Sequence, residues 1–135
     1  MFVTFAYLLL DERTHSAMYS TAGHPPMIFR SYSESKYVQL RTSNPALGLQ
    51  QVAPFAESSV SFLSGDSFLL YTDGIVEATN TMGEEFGVDR LQGLMTVQQS
   101  CKGEELCSRI VDAVRSFIGS DALKDDVTVV RVELS

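Results

Sequence analysis

Three short stretches of this chain combine residue types that could do chemistry. In LLYTDGIVEATN (residues 69–80) an apolar run ends on Asp73, followed at once by Gly74. In DDVTVV (residues 125–130) two adjacent aspartates, Asp125 and Asp126, stand before a β-type run. In AGHPP (residues 22–26) a histidine, His24, sits between a glycine and two prolines. A carboxylate at the mouth of a buried strand is desolvated unless something positive compensates it. Adjacent aspartates at a strand start repel unless one is neutralised. If both strands share a sheet, Asp73 and Asp125 emerge at one edge, an oxygen-rich arrangement that suits hard divalent cations such as Mg²⁺ and Mn²⁺. The same residues also read as ordinary turns, because Asp-Gly is a common turn pair and an Asp before a strand is often solvated. Spacing alone leaves both readings open.

The elements that would position these groups follow from periodicity. Strands are expected over Met1–Leu10, Ser16–Thr21, Met27–Arg30, Tyr37–Leu40, Ser58–Leu63, Ser67–Thr72 and Val127–Leu134. The Gly65-Asp66 turn predicts that the fifth and sixth of these pair antiparallel. From Val88 the apolar period lengthens to that of a helix, with Leu91, Leu94 and Met95 on one face. A stronger helix is expected from Gly103 to Ile118, striped by Leu106, Ile110, Val114 and Phe117 and followed by Gly119. Runs of strands followed by helices and a returning strand predict an α+β fold with largely antiparallel sheet.

Composition narrows the function classes. The chain has 135 residues, enough for one domain with its own core, spanning 1–135. Its formal net charge of −7, from 17 acidic and 10 basic residues, argues against a nucleic-acid surface. Its longest apolar run, Phe5–Leu10, is far short of a membrane span and lacks a basic flank. The two cysteines, Cys101 and Cys107, expected in one helix, form no disulfide framework or CxxC pair. A cytoplasmic protein is the reading that follows. Neither a P-loop nor a strand-linked GxGxxG occurs, and no EF-hand loop is present.

The combination of motifs is more telling than any one. GDSFLLYTDGIVEATNTMGEEFGVDRL (residues 65–91), with AGHPP upstream and DDVTVV downstream, resembles the metal-dependent protein serine/threonine phosphatases of type 2C, the PPM family. The resemblance is to the bacterial branch typified by the sporulation stage II protein E phosphatase and the sigma-factor regulators, and it spans nearly the whole chain. It implies an antiparallel β-sandwich flanked by helices, in αββα layers, with a dinuclear Mg²⁺ or Mn²⁺ site. By that analogy Asp73 and Asp125 are the metal ligands and catalytic groups, and Asp126 orients the site. Gly74 allows close approach to the cations' waters. His24, of a residue type suited to general acid chemistry near neutral pH, is a candidate for that role or for substrate binding, although its motif looks mainly structural in this branch. Glu77 and Asn80, with Glu84 and Glu85, follow the metal strand as candidates for shaping substrate entry, against the plainer role of an exposed connector.

The implied activity is hydrolysis of phosphoserine or phosphothreonine on a regulatory protein of the anti-anti-sigma-factor kind. One departure stands out: the acidic motif that supplies relatives with a bridging ligand has no counterpart here. The chain therefore reads as an N-terminally incomplete domain, a fragment or a degenerate relative. Weak cation binding, slow or no turnover, and self-association through uncovered sheet surface are expected. The rival reading is a non-catalytic regulatory module that keeps the fold as a binding surface.

Overall fold

The computed structural model describes residues 1–51, 54–97, 100–120 and 122–135. Among the described residues seven strands form two sheets, one of three strands and one of four, and three helices accompany them. The chain divides into two compact units, Met1–Phe68 with Leu134–Ser135, and Leu69–Glu133.

The first unit is built from hairpins. Strand β1 (Phe5–Asp11) pairs antiparallel with β2 (Ser16–Ala22). The turn between them is held by the Asp11 carboxylate, which accepts the Arg13 and Thr14 N–H groups at 2.9 and 3.3 Å. A second hairpin joins β3 (Met27–Ser31) to β4 (Lys36–Leu40). Alternation along β2 and continuous burial along β3 put Ala17, Tyr19, Met27, Ile28 and Phe29 in the interior.

The expected pairing of the fifth and sixth strands is not what forms. β5 (Ser58–Ser61) pairs with β2, giving the order β1-β2-β5, whereas β6 (Ser67–Tyr71) belongs to the other sheet. The reason lies in Asp66, which is 2% exposed. Its carboxylate accepts the N–H groups of Leu63 and Tyr32, both at 2.8 Å, while the Gly65 N–H donates to Leu134 O at 2.7 Å. Those bonds spend the link as a corner between sheets rather than as a hairpin turn.

The second unit carries the C-terminal part of β6, then α1 (Asp73–Val76), α2 (Gly87–Val97), α3 (Gly103–Ile118) and β7 (Val129–Glu133). β6 and β7 are neighbours in their sheet. Leu106, Ile110 and Val114 on the stripe of α3 are buried, and the helix packs on β7. Gly119 ends α3 at φ 70°, a conformation that costs glycine little, and its N–H donates to Arg115 O. Phe86 and Phe117 meet edge to face at 5.3 Å, with the Arg90 guanidinium over the Phe117 ring at 4.8 Å.

Three further expectations need correction. The first strand begins at Phe5 rather than Met1, because Met1, Phe2 and Val3 are exposed and only Val3 makes a bridge, to Leu47. Cys101 lies before α3, not within it, and only Cys107 is helical. A short helix starts at Asp73 itself, an element too brief for an apolar period to reveal.

Candidate functional site

The junction of β6 with α1 is built around Thr72. Its extended backbone (φ −86°, ψ 161°) ends the strand and precedes the first helical residue, Asp73. The Thr72 N–H donates to Thr128 O at 3.0 Å, and the Thr128 N–H donates back to Thr72 Oγ1 at 3.0 Å. The Thr72 hydroxyl in turn donates to Asp126 O at 3.3 Å. One threonine thus clasps the start of the last strand and fixes the register of the two acidic motifs.

Gly74 completes the clasp. A Cβ at this position would lie 2.3 Å from Asp126 O and 3.4 Å from Val127 Cγ2. No side chain fits there, so the glycine is required by the approach of the neighbouring backbone. Its close partner in this fold is the Asp126 carbonyl. The structure therefore supplies a packing reason for Gly74 that the sequence does not announce.

The two motifs are accordingly neighbours within one unit. Asp73 is half-buried, whereas Asp125 and Asp126 are exposed. Asp125 Oδ1 accepts the Asp126 N–H at 2.8 Å, which turns that carboxylate back along its own backbone. Gly74 and Asp125 line the same cavity. Among the described residues no three His, Cys, Asp or Glu side chains converge as a cation-binding group. The oxygen-only donors at the junction, Asp73, Asp125 and Asp126, nonetheless have the hard-ligand chemistry that suits Mg²⁺ and Mn²⁺.

The other candidates behave differently. His24 is half-buried in the first unit, and its Nδ1 lies 2.9 Å from Pro25 O, a contact within its own loop. Asn80 is committed to a turn: its Oδ1 accepts the Met82 and Glu84 N–H groups, and its Nδ2 donates to Glu84 Oε2, all at 2.9 Å. Glu84 is thereby a bracing residue. Glu77 is exposed at the end of α1 and lines the cavity beside Gly74. Sequence reasoning missed Thr72 and Thr128, although each stands beside an acidic motif, and that mirrored placement was the available signal. It also missed Lys124, whose place on the cavity wall no periodicity predicts.

The sequence profile of Stage II sporulation protein E (SpoIIE) matches residues 1–135, the whole chain. The chain belongs to the SpoIIE family. Protein IcfG of Synechocystis sp. is 30% identical over 132 residues, and phosphoserine phosphatase RsbU of Bacillus subtilis is 25% identical over 130. The chain spans only 20% and 38% of those two relatives' lengths. Among solved structures, the SiaA-PP2C domain of Pseudomonas aeruginosa superposes with a TM-score of 0.84 at 17% identity. The alignment covers 98% of this chain and 52% of that one. The SpoIIE phosphatase domain of Bacillus subtilis, presoaked with Mn, gives 0.76 at 18% identity, covering 97% and 56%. These superpositions establish the type 2C phosphatase fold for this SpoIIE-family chain. No helix among the described residues is long and apolar enough to cross a membrane.

Proposed function

We propose that this SpoIIE-family chain is part of a divalent-cation-dependent phosphatase domain acting on phosphoserine or phosphothreonine of a regulatory protein, of the anti-anti-sigma-factor kind. The observation that carries the reading is the Thr72 clasp, which brings the Asp73 and Asp125 motifs side by side. RsbU, a relative, is a phosphoserine phosphatase by name, and the SpoIIE domain was soaked with Mn; both support the choice of chemistry.

In this reading Asp73 and Asp125 hold the cations. When bound, such cations supply Lewis acidity that activates water and neutralises charge on phosphoryl oxygens. The chain's own part is positional. The half-buried Asp73 stands at the start of α1, where its backbone carbonyl accepts the Glu77 N–H at 2.8 Å. Asp126 lends its carbonyl to the clasp and keeps its neighbour's carboxylate in place. Self-association belongs to the same proposal: Phe5, Leu9 and Met18 lie exposed on one face of the β1–β2 pair, with Leu9 opposite Met18.

Titration of Mn²⁺ against melting temperature tests the reading, since a ligand of the folded state must raise it. A rise that Asp73→Asn abolishes, with slow Mn²⁺-dependent phosphate release from a phosphoserine peptide, is expected. No rise and no release would favour the non-catalytic module.

A further inference from the structure

Beside the aspartate pair, wholly within the second unit, lies a cavity of about 510 Å³. None of the roles assigned above requires it. One wall runs from Glu77 to Thr81, from the end of α1 into a short turn. The lining also includes Ile118, Ser120 and the segment from Ala122 to Asp125. Gly74 and Asp125 belong both to this lining and to the acidic junction, so the cavity opens onto the place where the cations are proposed.

The first wall is built before any ligand arrives. Thr79 and Glu85 form an antiparallel bridge, Phe86 N–H donates to Ala78 O at 2.8 Å, and Asn80 N–H donates to Glu84 O at 2.9 Å. The Asn80 side chain closes the turn from within through three bonds of its own. A loop whose polar groups are already paired loses little freedom on binding. The lining is mixed. Ala78, Ile118, Ala122 and Leu123 offer apolar surface, Thr79, Thr81 and Ser120 offer hydroxyls, and Lys124 is the cation among the lining residues. Such a cavity lies in the size range of small binding sites, and its combination of apolar area with a few polar groups is what a peptide side chain and its amide require.

We infer that this cavity is a substrate subsite that receives an apolar side chain next to the phosphorylated residue. The inference rests on the phosphatase reading for the position of the phosphate, which the acidic junction fixes at one end of the slot. A peptide is the fitting occupant because the lining that adjoins the junction combines apolar side chains, hydroxyls and one lysine. Lys124, the residue before Asp125, supplies positive charge at the same end for the doubly charged phosphate. The acidic lining residue Glu77 disfavours an acidic neighbour in the slot.

The test is binding, not turnover. Fluorescein-labelled hexapeptides carrying the phosphonate analogue of phosphoserine, which is not hydrolysed, are titrated with the chain in Mn²⁺ by anisotropy. Leu beside the phosphonate is expected to bind about tenfold tighter than Asp there, the discrimination of one well-seated apolar side chain. Ala122→Trp, at an exposed position on the wall, is expected to erase that difference by filling the slot. Retained melting temperature checks its folding. If Ala122→Trp proves unstable, the Leu-against-Asp comparison on the unaltered chain decides alone. Equal binding of both peptides, or no binding of either, overturns the inference. If Leu-bearing peptides lacking the phosphonate bind as tightly as those carrying it, and Ala122→Trp abolishes both, the subsite stands and the phosphatase reading fails.

Discussion

Among the described residues a threonine clasp stands in each unit, and the two differ in whether acidic side chains lie beside them. In the first unit Thr21 and Thr42 exchange bonds: the Thr21 N–H donates to Thr42 Oγ1 at 2.8 Å, and the Thr42 N–H donates to Thr21 Oγ1 at 3.0 Å. Asn44, 9% exposed, finishes the cluster by donating to Ser20 Oγ and Ala56 O and accepting the Ala56 N–H at 2.7 Å. Those polar groups are consumed within the protein. In the second unit the Thr72–Thr128 clasp uses the same hydroxyl-to-backbone bonds but is flanked by Asp73 and Asp125. The clasp is scaffold in both places. What distinguishes the second is that acidic side chains remain over once the backbone is satisfied.

That contrast predicts a graded set of outcomes. Asn44→Ala strips partners from several buried groups at once and is expected to cost about 3 kcal/mol in urea unfolding, with no effect on cation binding. Gly74→Ala forces a methyl into the Asp126 carbonyl and is expected to cost about 2 kcal/mol by overpacking, and to weaken the Mn²⁺-induced rise in melting temperature as well. Thr72→Val removes the hydroxyl that joins the two motifs; a loss of about 1 kcal/mol is expected, again with weaker cation binding. Equal cation binding by Thr72→Val and the unaltered chain would mean that the clasp does not position the carboxylates.

The smallest expected effect is a pH dependence at Cys107. Burial pushes its thiol above the ordinary value, against a lesser lowering by Arg131. The folded state therefore keeps the proton to higher pH than the unfolded chain, so this residue's contribution to stability is full below the ordinary thiol range. It declines as pH rises from there through the folded value. Iodoacetamide should alkylate Cys107 in the folded chain with a midpoint above that of a free cysteine peptide, and Cys107→Ser should remove the slope. A midpoint at or below the free value would contradict this.

Much of the fold was legible because burial periodicity is a local property. The α3 stripe Leu106–Ile110–Val114 and its Gly119 stop predicted the helix to the residue, and most strands fell within a residue or two of expectation. Partnership was not legible in the same way. Alternation at Val60 and Phe62 announces a strand, but its choice of β2 over β6 depends on Asp66 reaching Tyr32, thirty-four residues away in sequence. At the candidate site the family resemblance singled out the aspartates, whereas spacing alone left a cation site and ordinary turns both open. The cavity was not visible at all. TNTMGEE reads as polar connector, and only the Asn80 bonds turn it into a wall.

The most direct test of the central claim is paramagnetic broadening of assigned backbone amides by substoichiometric Mn²⁺. The account predicts that the signals of Asp73, Gly74, Asp125 and Asp126 fade together and first, and that Asp73→Asn protects all four. Broadening at Asp125 and Asp126 with Asp73 untouched, or fading spread over other acidic surface such as Glu104 and Glu105, would contradict it.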